Sequence, residues 1–368
     1  MNQTILTWLV FILAFGGMVL IHEFGHFIVA RLCKIEVEEF GIGLPTPGAL
    51  TLFTWQGTRF TLNWLPLGGF VRPKGENDPN VPGGLAAASP WKRLAVLFAG
   101  PLMNLLTAVL IYSIIFGRVG VPDATRVLVS SVSEGSPAAQ AGFQSGDIFL
   151  SGNGQPVRNY DELRVIVDAN ENKPVTFLVD RNGKQVELTA VPEMNAEANR
   201  IMIGVGLGVP FKRPTSPMET ITLGARYTYF NIRALIALPA QMIRGTLDSE
   251  QGRLVGLKGI YDILQQTVNH DVQASTTPPV SSDPIDQPVR TLELIASLSI
   301  SLGLFNLFPF PALDGGRILF VLPELIFRKR VSPQVENLVH GMGMAFLLLL
   351  MIYINVMDFV NPINVTIP

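Results

Sequence analysis

His22-Glu23-Phe24-Gly25-His26 is a short stretch whose residue types and spacing could do chemistry. On a helix, residues four apart share a face, so His22 and His26 can offer both imidazoles to one metal ion. Glu23, next to the first of them, stands where it can accept a proton from a water polarised by that ion. This is the H-E-x-x-H arrangement of zinc-assisted hydrolysis. The pattern also arises by chance in soluble helices. Here it lies at the inner end of an apolar stretch, where ionisable side chains are expensive and mark sites. Metal binding lets the imidazoles stay neutral and gives each a partner.

A catalytic zinc site takes three protein ligands and keeps a fourth position open, so a third ligand must come from elsewhere. His270 lies in a polar segment, His340 opens the last apolar stretch, and Cys33 follows His26 by seven residues on the same element. Asp314 is the favoured donor. It follows Phe308-Pro309-Phe310-Pro311, which breaks a helix at a depth where irregular backbone is tolerated only around a buried or watery cavity. Gly315 and Gly316 let another backbone come close. Counted from the outer ends of their stretches, His22 is roughly 26 Å along and Asp314 roughly 35 Å if helical throughout. Both therefore approach the same side of a bilayer.

The elements that must position these residues are apolar. The chain is 48% hydrophobic and only 15% charged, with a mean hydropathy of +0.36; soluble domains average about 25% charged. With 27 Lys+Arg against 29 Asp+Glu there is no basic footprint for nucleic acid, and one cysteine, Cys33, excludes a disulfide framework. Four stretches carry the excess: Ile5–Ile21, Leu94–Phe116, Leu294–Leu313, and one from about Leu338 to Met357. A spanning helix needs about 20 apolar residues, which predicts four transmembrane helices. Lys and Arg concentrate in the loop 31–93 and in Arg317, Arg328, Lys329 and Arg330, and are missing from both tails. The positive-inside rule then puts those loops in the cytoplasm and both termini outside.

Between the second and third stretches the composition becomes ordinary. Residues 127–192 alternate apolar and polar, and Val175–Val179 and Gln185–Val191 flank Asn182-Gly183, a strong signal for a hairpin with a type I′ turn. Short helices are expected at Ser136–Gly142, with Pro in its first turn and Gly at its end, and at Asp161–Asn170. The segment Met218–Ile243 carries Glu219, Arg226 and Arg233, a poor span that reads better as an amphipathic helix on the membrane surface or a gate beside the site. Residues 269–290 read as an exposed linker.

These motifs resemble, in order and over nearly the whole chain, the site-2 protease family of intramembrane zinc metalloproteases, in its bacterial RseP-like branch. HEFGH at 22–26, GPLMN at 100–104 and NLFPFPALDGG at 306–316 carry the likeness. LPLGGFVRPKGE at 65–76 resembles that branch's membrane-associated β-hairpin loop, and GSPAAQAGFQSGDIFLSGNG at 135–154 its extracytoplasmic PDZ domain, here single. The resemblance implies zinc held by His22, His26 and Asp314, Glu23 as general base, and Asn306 near an unwound substrate strand.

The expected architecture is a polytopic α-helical membrane protein with an inserted PDZ-like α/β domain. Residues 1–117 would hold transmembrane helices 1 and 2 with the cytoplasmic-side β-hairpin loop, 118–195 the PDZ-like domain, 196–290 the amphipathic segment and linker, and 291–368 helices 3 and 4. The expected location is the inner (cytoplasmic) membrane, and the expected substrates are single-span membrane proteins such as anti-sigma factors or remnant signal peptides. Gly68, Gly69, Phe70 and Val71, within the strand candidate Leu67–Arg72, would bind substrate by edge-to-edge pairing. The PDZ-like domain would take peptide C-termini or exclude bulky substrates. Two competing readings are a non-catalytic zinc-bearing scaffold recruiting partners through that domain, which has no need of Glu23, and a metal transporter, which would line several helices with ligands.

Overall fold

The computed structural model describes residues 3–195, 199–245, 253–276 and 287–362. The chain divides into two compact units, one of Met1–Ser113, Ile221–His270 and Arg290–Pro368, the other of Ile114–Thr220 and Asp271–Val289.

In the first unit, α1 (Gln3–Leu32) and α2 (Pro90–Val119) each run for 30 residues, about 45 Å at 1.5 Å per residue. Between them lies a sheet of β1 (Val37–Leu44), β2 (Leu50–Trp55), β3 (Thr58–Leu62) and β4 (Leu65–Pro73), in the order β2-β3-β1-β4. The expected hairpin is thus the edge of a four-stranded sheet. β4 pairs antiparallel with β1, Phe40 opposite Val71 and Gly41 opposite Phe70, and its other edge faces α1. Phe27, Ala30, Val37, Phe40 and Val96 form the small core that joins the end of α1 to β1 and α2. Glu39, buried in β1, accepts from Thr61 Oγ1 at 2.9 Å, Arg72 at 3.1 Å and Arg59 at 3.3 Å, which offsets the cost of burying its charge.

In the second unit, α3 (Pro137–Ala141) is capped by Ser136 and ended by Gly142 in the left-handed region, and α4 (Tyr160–Asp168) is capped by Asn159. They pack on strands that run, in spatial order, Lys184–Ala190, Val175–Arg181, Ile148–Gly152, Val127–Val132 and Val205–Gly208. The Asn182-Gly183 turn, at φ +54° and +81°, joins the first two as its sequence predicts. Phe143, Phe149 and Phe177 meet at the centre of the core. Asp147, fully buried, is paired with Arg181 at 2.7 Å. The sheet reaches past residue 195, because Val205–Gly208 pairs with Val127–Val132.

The segment expected at 218–243 is helix α5 (Pro217–Ile243), and α6 (Leu257–Thr276) adds a helix where part of a linker was expected. The rest of that linker, 277–286, lies outside the described residues. Then come α7 (Arg290–Asn306), α8 (Asp314–Phe327) and α9 (Pro333–Val360). Among the described helices, α1, α2 and α9 are long and apolar enough to cross a membrane. The third apolar stretch is not one helix: α7 stops at Asn306 after 17 residues, since Pro309 and Pro311 have no N–H to continue it. α8 is held by Arg317 to Glu76 and by Glu324 to Arg93.

Phe177 is fully buried at the ring cluster, so Phe177→Ala should destabilise the second unit by about 3–5 kcal/mol. Limited proteolysis of the full-length protein in detergent should then cut within 127–208 at denaturant concentrations that leave the wild type intact; equal resistance would refute the placement.

Candidate active site

The C-terminal half of α1 carries His22, Glu23 and His26, and both imidazoles are buried. Asp314 is the first residue of α8. Its Oδ2 lies 3.1 Å from His22 Nε2 and 3.3 Å from His26 Nε2, and the two Nε2 atoms are 3.1 Å apart. Zinc donors at 2.0–2.1 Å in a tetrahedron sit about 3.3 Å from one another, so these three atoms form one face of such a tetrahedron, with the fourth corner left open. Asp314 Oδ2 is buried and has no hydrogen-bond donor among the described residues. A buried acceptor facing two imidazole nitrogens is satisfied by a cation, and the donor set fits zinc.

Helix α2 fixes the imidazoles from behind. His26 Nδ1 donates to the Val96 carbonyl at 2.7 Å, the tautomer that frees Nε2 for a metal. His22 Nδ1 meets the carboxamide of the fully buried Asn104 at 3.2 Å, and Asn104 Oδ1 has no partner among the described residues. A half-turn of that carboxamide presents Oδ1 as acceptor for His22 Nδ1–H. Ser299 on α7 anchors the same position by donating to the Asn104 carbonyl at 2.8 Å. A Cβ at Gly100 would sit 2.3 Å from His26 Nε2 and 2.8 Å from His22 Nε2, so a side chain there would enter the ligand space.

Glu23 is held by the sheet. Its Oε2 accepts the Val71 N–H of β4 at 3.0 Å. The strand comes this near because Cβ atoms at Gly68 and Gly69 would lie 3.0 Å from Val19 and Leu20 of α1. Val71 is therefore beside Glu23, Gly68 and Gly69 lie against Val19 and Leu20, and the Phe70 ring folds back over Gly41. Asn306, partly buried, ends α7 eight residues before Asp314.

His22, His26 and Asp314 are the only grouping among the described residues that could hold a metal. Of the other donors weighed from the sequence, His270 lies in α6, Cys33 packs beside the core around Phe27, and His340 on α9 accepts the Ala312 N–H. Sequence reasoning missed the Val96 carbonyl and the Val71 amide, since main-chain groups leave no mark in residue types. Asn104 had a signal, the GPLMN motif, but not its partner.

The family model for peptidase family M50 matches residues 10–350. A protein of Clostridium acetobutylicum named as a zinc metalloprotease is 30% identical over 96% of this chain and 97% of its own. One so named from Bartonella henselae is 31% identical over 91% and 96%, and the metalloprotease MmpA of Caulobacter vibrioides is 29% identical over 91% of each chain. The PDZ domain of an SdrC-like protein from Listeria monocytogenes aligns with 24% of this chain and 90% of that domain, at 19% identity and a TM-score of 0.21.

Replacing Asn104 by Leu removes the partner of His22 Nδ1 while filling the buried space. It should weaken zinc binding by about 10–100-fold, measured by competition with a chelator in detergent; affinity equal to the wild type would remove Asn104 from the site.

Proposed function

The chain belongs to peptidase family M50 and is a zinc metalloprotease; on that premise we propose that it cuts single-span membrane proteins within or beside their spanning segments, with the reacting groups on α1 and α8. The observation that carries this reading is the triangle of His22, His26 and Asp314 with Glu23 one residue away.

His22 Nε2, His26 Nε2 and Asp314 Oδ2 would hold the ion. Zinc there supplies the Lewis-acid charge that polarises a scissile carbonyl and acidifies water. Glu23 accepts the proton of the attacking water and returns it to the leaving amide nitrogen. The Val71 N–H engages Oε2 and leaves Oε1 for that proton. The Val96 carbonyl keeps His26 in the tautomer with Nε2 free, and Asn104, with its carboxamide turned so that Oδ1 faces His22 Nδ1, would do the same for His22.

A helical substrate hides its amides, so a segment must unwind before it reacts. β4 is an edge strand lying along α1 at Gly68 and Gly69, and an unwound segment pairing beside it would pass close to Glu23, toward Asn306. The sheet also presents Leu50, Phe53, Trp55 and Trp64 outward, a surface suited to the membrane interface. Read as four spans (α1, α2, the broken third stretch and α9), the chain would have the second unit and both termini outside the inner membrane and the basic loops in the cytoplasm, a reading that the Lys/Arg distribution supports. The second unit is read as the PDZ-like domain. A cleft of about 300 Å³ between α4 and the strands Arg200–Met202 and Val205–Gly208, lined by Tyr160, Leu163 and Leu207, is where a peptide C-terminus would lie. α5, with Tyr229 and Phe230 exposed, is read as lying at the membrane surface.

The deciding experiment incubates detergent-purified protein with single-span peptides, wild type beside Glu23→Gln. Loss of the general base should slow cleavage by about 10²–10⁴-fold with zinc content unchanged, and equal cleavage by both would end the protease assignment to this site. Truncating β4 within Leu67–Arg72 should slow cleavage of a stable helical substrate more than of one carrying helix-breaking residues. Equal slowing of the two would rule out strand pairing as the unwinding step.

A further inference from the structure

Asp314 reaches the two histidines from the end of an irregular loop, and something must hold that loop in one conformation. Between α7 and α8 the chain runs Leu307 to Leu313. Pro309 and Pro311 have no N–H. The amides of Leu307, Phe308, Phe310 and Leu313 are satisfied locally, by the carbonyls of Leu304, Phe305, Phe308 and Phe310 at 3.1, 2.9, 2.7 and 3.2 Å. The amide of Ala312 is different. It donates across to α9, to His340 Nδ1 at 2.9 Å. Ala312 also carries a φ of +79°, a left-handed conformation that an L-residue with a Cβ adopts only when its surroundings impose it.

The same face of α9 presses on the loop at two further points. Gly343, three residues on, approaches so closely that a Cβ there would lie 2.5 Å from Pro311 Cβ, and Phe346 contacts the Phe310 ring at 5.7 Å between centroids. His340 itself packs against Phe320 of α8. Its Nε2 is buried without a partner among the described residues, so packing alone would be better served by an apolar side chain. What an apolar side chain cannot do is accept the Ala312 N–H.

We propose that His340 is a positioning residue for Asp314: from α9, outside the H-E-x-x-H and L-D-G-G motifs, its Nδ1 fixes the strained turn at Ala312 and so aims the Asp314 carboxylate at His22 and His26. With Nδ1 occupied by an amide proton, His340 is a support and not a ligand. The inference rests on the reading of Asp314 as the third ligand, and the test separates the two.

Full-length protein in detergent is loaded with zinc, and transfer of the ion to a chromophoric chelator is timed for wild type, Asp314→Asn, His340→Leu, His340→Phe and His340→Asn. The Oδ1 of Asn hangs on Cγ as Nδ1 does in His, so it can accept the same N–H. His340→Leu and His340→Phe should release zinc about ten-fold or more faster than wild type, while His340→Asn stays within about three-fold of it and metal-free melting temperatures agree across the series. Release at the wild-type rate from the Leu or Phe variant, or release from the Asn variant as fast as from those two, overturns the proposal. Two non-accepting variants are included so that a folding failure of one leaves the other. If Asp314→Asn holds zinc as tightly as wild type, it is the ligand reading that falls, and the His340 inference falls with it.

Discussion

The structure depends on keeping three metal-ligating atoms together in a buried place. His22 Nε2, His26 Nε2 and Asp314 Oδ2 lie within 3.1–3.3 Å of one another and are screened from water. A carboxylate taken from water into such a place costs several kcal/mol, and a bound cation repays that only if all three atoms point at one spot. No single helix can supply this. α1 contributes two donors by its 3.6-residue repeat, but the third must arrive from a part of the chain almost 300 residues away. The remaining contacts of the site are devices for aiming: Val96 and Asn104 behind the imidazoles, Ser299 behind Asn104, and α9 behind the Asp314 loop.

That requirement explains why the third apolar stretch is broken. A continuous helix through 290–313 would present Asp314 at a position dictated by its period. Ending the helix at Asn306 and restarting it at Asp314 frees the carboxylate to be placed by a loop. In the four-span reading this loop lies within the membrane, where its amides must be satisfied without water. Two prolines reduce the number of amides to be satisfied, four of the remaining amides bond locally, and the last is met by His340. The irregular backbone is thus accounted for amide by amide.

The sequence made some of this legible. H-E-x-x-H requires only helical periodicity, the proline pairs announce the break before Asp314, and Asn182-Gly183 with flanking alternation announces its hairpin; each is local, carried by a few neighbouring residues. What was not legible is non-local or main-chain. The carbonyl of Val96 and the amide of Val71 can be supplied by almost any residue type, so no pattern records them. Val205–Gly208 is a four-residue strand rich in glycine, and only its pairing with Val127–Val132 across some 75 residues makes it part of the sheet. Helix α6 was hidden by a linker-like composition further along, and its start is capped from a distant element, since Asp358 accepts the amides of Gly256 and Gly259 at 2.8 and 3.1 Å. Such a cap cannot be found by looking for Ser, Thr, Asp or Asn just before the helix.

The contact between Glu23 and β4 joins two tasks that could have been kept apart. A general base needs a fixed orientation, and a side chain on a helix has several rotamers to lose. Any neighbouring donor could have fixed it. Here the donor is the main chain of an edge strand, at 3.0 Å, and the strand's closeness to α1 is set by two glycines rather than by side chains that would shift with sequence. The distance from Glu23 to the strand is therefore fixed by backbone geometry alone. If a substrate segment unwinds by pairing with that strand, its scissile amide is placed relative to the base by hydrogen bonds that any peptide possesses, whatever its side chains. A protease acting on unrelated spanning segments needs this kind of recognition, which reads the backbone and the willingness of a helix to unwind. Sequence selectivity then has to come from elsewhere in the chain, and the second unit, with its own core and its own cleft, is free to supply it.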